Sequence, residues 1–374
     1  MNFRLWMMAA MGLALASPVR ADYFAIDLSS VGIQPVAVNS SRQFAGTREV
    51  APGQQQAYRW DNVTSFTNLG TLGGTNSSAS AINEQGWVAG TSRINTTSSV
   101  SHAFLWQPGV GLTDLGTLGG TSFPTVSAVN ATGVVVGASP TTGNAATHAF
   151  VWQPGVGLTD LGTLGGNNSV ARGVNDAGTV VGASDTADGG SRPFIWTEAG
   201  GLVDLGGLGG PTADGSANDI NNNGVVVGQS TRGDGTSGAF VWNAGVFTDL
   251  GGLGGANSVA FAINNLGEVV GTAQNDAGES LAFLWDATNG LRSLNSLLGD
   301  NPQNVSLTRA IGITDSGDIL AESATLDGTI VYLVTQNGDL NPPPPTNEVP
   351  APPALVLAGL GLPLAGLMRR KRSA

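Results

Sequence analysis

The chain carries two histidines, His102 and His148, and both stand directly before Ala-Phe. Other copies of the same local pattern have Gln56, Arg192, Gly238 and Leu281 at that place. A general base is one residue tuned by one environment. A histidine repeated at equivalent positions therefore reads as structural. There is no cysteine and no histidine beside a plausible nucleophile, so the familiar hydrolase triads are absent. Carboxylates recur more regularly: Asp27, Asn68, Asp114, Asp160, Asp204, Asp249 and Ser293 share one position. A carboxylate ring is hard-cation chemistry, which keeps Ca2+ open as a bound ion. Asn and Ser at the same place favour a simpler role, a short side-chain acceptor holding a turn. Six of the eight tryptophans, Trp60, Trp106, Trp152, Trp196, Trp242 and Trp285, occupy a second shared position. Sugars stack on such rings, but a regular row is more simply a core. The remaining polar candidates are Ser78, Ser80, Ser127, Ser216 and Asn218, with Arg172 and Asp219 as exceptions that do not recur. No catalytic, cofactor-binding or metal residue follows from this pattern, and the chain reads as non-enzymatic.

The elements that must position these residues form a repeat. Leu112-Thr113-Asp114-Leu115-Gly116-Thr117-Leu118-Gly119-Gly120 returns nearly unchanged along the chain. Its central leucine recurs as Leu69, Leu115, Leu161, Leu205, Leu250 and Leu294, at steps of 44 to 46 residues. Each unit holds four short β-type runs punctuated by Gly, Asn and Pro, without a sustained helical period. Four strands in about 45 residues is the size of a propeller blade. An Asn-x-x-Gly turn marks Asn83, Asn130, Asn175, Asn221 and Asn264. Weaker copies start at Asn39, with Arg42 in the glycine position, and at Thr314, with Gly317. The last copy places Leu333 in the tryptophan position.

Seven units have the first three strands, but the last lacks a fourth. The orphan stretch Ala25-Ile26-Asp27-Leu28 matches the fourth-strand phrase and has no strands before it. Ring closure resolves both facts, because it pairs two exposed edges. The expectation is an all-β, seven-bladed propeller over residues 22–340, closed by its N-terminal strand. An open solenoid is the rival. The paired glycines are expected to turn the chain from each outer strand to the next inner one.

Composition and the two ends bound the setting. Charged residues are 11% and the net charge is -12, which disfavours nucleic-acid binding. A hydrophobic fraction of 41% supports a real core. Residues 1–21 read as a signal peptide: Arg4, an apolar run over residues 5–15, and cleavage between Ala21 and Asp22. Residues 341–348 form a proline-rich spacer. Residues 349–374 contain Val349, Pro350, Pro352, a hydrophobic segment over 354–368, and the basic block Arg369, Arg370, Lys371 and Arg372. The basic block should stay cytoplasmic, giving a transient C-terminal membrane anchor with the rest outside.

That order of proline motif, hydrophobic run and basic tail resembles the PEP-CTERM sorting signal of Gram-negative bacteria that make extracellular polysaccharide. The resemblance implies an exosortase-type partner and a periplasmic, outer-surface or extracellular location. Here Pro350-Ala351-Pro352 stands for the usual Pro-Glu-Pro. His102-Ala103-Phe104-Leu105-Trp106 and His148-Ala149-Phe150-Val151-Trp152, each followed by Asp-Leu-Gly-Thr-Leu-Gly-Gly, resemble the bacterial HAF extracellular repeat. That resemblance implies a secreted β-repeat protein and transfers no activity. The expected function is binding of extracellular polysaccharide or surface-protein partners in a biofilm matrix. Binding is expected through the variable loops 91–101, 139–147, 184–191 and 230–237. A polysaccharide hydrolase or lyase working at the channel, and a purely structural matrix protein, are the alternatives.

Overall fold

A computed structural model describes residues 23–29, 34–62, 65–299, 304–325 and 328–336. The cleavage pair Ala21 and Asp22, the spacer, and the sorting residues Val349, Pro350, Pro352, Arg369, Arg370, Lys371 and Arg372 lie outside them. Among the described residues there are seven four-stranded antiparallel sheets. Six are simple meanders in chain order, blades 1 to 6. Blade 7 combines Arg309–Ile313, Ile319–Thr325 and Gly328–Thr335 with Phe24–Asp27 as its outer strand. The expected closure is therefore observed, with Asp27 opposite Tyr332 and Phe24 opposite Thr335. Leu28, the faint copy of the repeat leucine, is fully buried. The first strands neighbour one another around the ring, blade 7 meeting blade 1, and so line a central channel.

Blades stack by one rule. In the third strands of blades 1 to 6 an aromatic pair faces the preceding blade while the residue between them faces the following one, as the two-residue period requires. Phe150 and Trp152 pack on Leu105 of the blade before, and Val151 packs on Phe194 and Trp196 of the blade after. Burying Phe104, Phe150, Phe194, Phe240 and Phe283 to 1% exposure or less contributes roughly 2–3 kcal/mol each. The tryptophan row is thus packing between blades, with Trp60 and Trp106 themselves buried. Register corrects one assignment. Ile319 pairs with Val334 as Val135 pairs with Trp152, so Val334, not Leu333, holds the tryptophan position. Leu333 is the middle residue, packing near Phe44 and Trp60 of blade 1. The slip arose because Tyr332-Leu333-Val334 has no tryptophan to anchor the count.

The repeated phrase now has a physical reading. Asp114 accepts a hydrogen bond from the Gly116 N–H at 2.9 Å, and Asp160, Asp204 and Asp249 hold the same turn. Thr117 donates to the Gly120 carbonyl, and the Leu118 N–H donates to the buried Ser139 hydroxyl at 2.9 Å. The two glycines do different work. Gly119 takes a φ of 93°, which disfavours any side chain. Gly120 does not turn this way; a Cβ there would come within 2.5 Å of the Pro140 carbonyl oxygen. One glycine turns the chain and the other lets it press against the second strand.

Candidate functional site

Strand alternation divides the ring into two faces. The Asn-x-x-Gly turns lie on one, the turn face. The second-to-third hairpins and the crossovers between blades lie on the other, the loop face.

The turn face opens into a funnel of about 240 Å³. Val38, Ile82, Val129, Val174, Ile220, Ile263 and Ile313, one from each blade, form a β-branched collar. Outside it run the turn asparagines and the residues that follow them. Their polar groups are already engaged. Asn83 donates to the Asn130 carbonyl at 2.8 Å and Asn130 to the Asn175 carbonyl at 2.9 Å. The next residues link as well: the Asn222 N–H donates to Asn265 and the Asn265 N–H to Asp315. Burial and the facing Asp315 push the Glu84 carboxyl up, against the hydrogen bonds it accepts from Ser40. The rim is a structural belt whose groups satisfy each other.

Deeper in the channel every first strand carries an irregularity at one position: Val36, Ser80, Ser127, Arg172, Asn218, Phe261 and Ile311. Of the expected residues, Ser80, Ser127 and Asn218 hold this position, whereas Ser78 lines a concavity on the opposite face and Ser216 is buried. The Asn218 side chain donates to the Ala260 carbonyl at 2.7 Å. Arg172 is exposed on this innermost strand. Asp219 is pushed up to about 6 by burial, opposed by hydrogen bonds from the Ile263 and Ile220 N–H groups. The channel does not bring Arg172 and Asp219 into an ion pair.

The histidines sit on the outer rim of their blades. His102 Nδ1 is 2.8 Å from Asp114, and His148 Nδ1 is 2.9 Å from Asp160. Blade 5 reaches the same end differently. Gly238 leaves space that Arg232 fills, and Arg232 pairs with Asp249 at 2.6 Å. Each carboxylate is thus committed to a turn and to one cation or imidazole on its own blade. Among the described residues no group of three or more His or acidic side chains converges on an ion position.

The loop face holds a second concavity, of about 180 Å³, lined by Gln55, Asn76, Ser77, Ser78, Thr91, Ser92, Arg93, Ser101 and Phe123. The loop 91–101, one of the four expected to bind, supplies part of its wall. Phe123 was not singled out from sequence. It stands where the repeat elsewhere places a polar residue that works: Asn168, Asp214 and Asn257 each accept the first N–H of the preceding third strand. The neighbouring position is likewise a serine in other copies. Ser77, Ser169 and Ser258 accept the N–H groups of Ala57, Ala149 and Ala239. Blade 3 has Phe123-Pro124 in place of Asn-Ser, giving up both bonds. The ring that replaces them is 56% exposed. It is also held. Asn144, at an unfavourable φ of 54°, accepts from the Thr121 and Ser122 N–H groups. Asn144 thus fixes the crossover that carries this exposed aromatic.

No family model and no curated protein matches the chain. Solved structures match in fold. The propeller domain of the Trilobed protease from Pyrococcus furiosus is 10% identical, with a TM-score of 0.52, covering 86% of this chain and 100% of that one. A puromycin-hydrolyzing peptidase of Mycobacterium tuberculosis is 12% identical with a TM-score of 0.51, covering 87% of this chain and 55% of that one. BP39L lectin from Burkholderia pseudomallei is 10% identical with a TM-score of 0.47, covering 86% and 97%. The chain spans under two-thirds of several matched proteins, the peptidase among them. At these identities the likeness is of propeller fold alone.

Proposed function

We propose that this chain is an exported, non-enzymatic propeller that binds extracellular glycan through its loop face. The observation carrying the reading is the break in the repeat at Phe123-Pro124. It exchanges two structural hydrogen bonds for an exposed ring beside a concavity walled by hydroxyl and amide groups. An apolar platform with hydroxyl and amide neighbours suits a sugar, which offers one C–H face and a rim of hydroxyls. Among the described residues, the chain begins at Tyr23 and ends at Gln336, whose side chain donates to the Tyr23 hydroxyl at 3.0 Å. Both lie at the turn-face end of blade 7, opposite the loops. The targeting reading completes this proposal: cleavage after Ala21, then exosortase-type sorting through Val349, Pro350, Pro352 and the basic block ending at Arg372.

The test is a polysaccharide pull-down with the intact propeller, Phe123→Ala, and a chain whose 91–101 loop is exchanged. Loss of the ring contact should weaken binding about tenfold, from burial worth roughly 1–2 kcal/mol. Binding unchanged by both variants would remove the loop face from consideration.

A further inference from the structure

We infer that the Phe123 concavity recognises an acidic sugar residue, with the ring over Phe123 and the carboxylate on Arg93; the inference rests on the glycan-binding reading above. Arg93 ends the second strand of blade 2 and is half-buried in the concavity wall. Its backbone is committed, the N–H to the Asn76 carbonyl at 2.9 Å and the carbonyl to the Gly74 N–H at 3.0 Å. Among the described residues its guanidinium has no hydrogen bond or ion pair. Two equivalent residues in other blades are engaged: Asp185 accepts from the Asn168 side chain and Gln274 from the Asn257 side chain. In blade 2 the corresponding Asn76 side chain turns away to the Gly53 carbonyl. A fixed backbone carrying an idle, planar five-donor group beside an aromatic platform is suited to a bidentate carboxylate.

The net charge of -12 opposes dense polyanions at long range. Screening confines that repulsion to about 8 Å at physiological salt. The ligand class is therefore a glycan with isolated acidic residues among neutral ones.

Methyl glucuronide and methyl glucoside separate the two layers of the argument, because they differ only at C6, carboxylate against hydroxymethyl. Titrated into the intact propeller by ligand-observed NMR, the glucuronide should bind at least tenfold tighter. Arg93→Gln should erase that preference and leave glucoside affinity within about twofold. Arg93→Lys should retain part of it. Phe123→Ala should weaken both sugars. Equal affinities for the two sugars, an Arg93→Gln variant that weakens both alike, or a preference for glucose 6-sulfate over glucuronide would overturn the carboxylate assignment. Under any of these results, glucoside binding that depends on Phe123 leaves the glycan reading standing. Failure of both sugars and of their oligomers to bind would overturn both.

Discussion

The joints between blades are not all built alike, and the contrast shows how a repeat closes on itself. Six joints carry the same bond, a turn asparagine donating to the carbonyl of its counterpart in the next blade, from Asn39 to Asn83 through Asn264 to Thr314. The seventh cannot, because Thr314 has no amide to offer blade 1. There Arg42 reaches back across the seam instead. It donates to both carboxylate oxygens of Asp318, at 2.7 and 3.0 Å, and to the Thr335 hydroxyl at 2.8 Å. Arg42 is 2% exposed and Asp318 3%. Arg42 occupies the turn's glycine position and keeps its left-handed backbone, at a φ of 54°. That conformation costs about 1 kcal/mol or more for a non-glycine residue. The ordinary joints are neutral and interchangeable. The seam is charged and specific, where the chain's beginning must find its end.

The largest test removes the closing strand. Deleting residues 22–32 exposes the edge of Gly328–Thr335 and strips out the buried Tyr23 and Leu28. Two such side chains and a four-residue ladder are worth roughly 5 kcal/mol or more. A midpoint in thermal melting that stays within a few degrees of the intact protein would contradict closure. Next in size is the seam pair. Asp318→Ala leaves a buried guanidinium without its carboxylate and should cost about 3–5 kcal/mol. Asn130→Ala at an ordinary joint should cost about 1–3 kcal/mol. Equal losses in chemical denaturation would mean the seam is no different from its six counterparts.

Blade 5 meets blade 6 through the ordinary bond and one contact more, in which Asp219 accepts the Ile263 N–H at 3.0 Å. Burial raises this carboxyl to about 6, above the ordinary value near 3.9. The folded state thus holds the proton more tightly than the unfolded chain. Its contribution is present below about pH 4 and lost as pH rises through about 6. The fall should be roughly 1–3 kcal/mol. Asp219→Asn should flatten it in denaturation curves taken between pH 4 and 7. A slope that survives the substitution assigns the effect elsewhere.

Much of this architecture was legible because it repeats. The step between Leu69 and Leu294, and the faint copy at Asp27-Leu28, carry blade number and closure without any long-range information. The exceptions were seen as letters but not as contacts. Arg42 in a glycine position reads as a weak copy until the fold brings Asp318, distant in sequence, beside it. Phe123-Pro124 reads as crossover length until the bonds made by Asn168-Ser169 and Asn257-Ser258 show what it replaces. Periodicity reports what every blade needs. The single-copy departures, which hold the seam and the candidate site, acquire meaning only from their neighbours in space.

The finest test rebuilds the seam as an ordinary joint. Thr314→Asn supplies the missing amide to donate to the Asn39 carbonyl, which already accepts the Arg42 N–H in the ordinary turn pattern. Arg42→Gly restores a residue at ease with positive φ. Asp318→Val removes the carboxylate that would otherwise be orphaned, using the residue found at the matching Val134 and Val225 positions. Replacing a buried pair by apolar and hydrogen-bonded groups is frequently neutral. The triple variant should therefore lie within about 1–2 kcal/mol of the parent, although Asp318→Ala alone is far less stable. The difference should then appear in assembly rather than stability. A seam identical to its neighbours gives the N-terminal strand no distinctive charged mark beside its docking edge, so refolding should yield more chains joined edge to edge. Size-exclusion profiles after dilution from denaturant read this directly. If the triple variant refolds to monomer as cleanly as the parent, the Arg42–Asp318 pair serves stability alone.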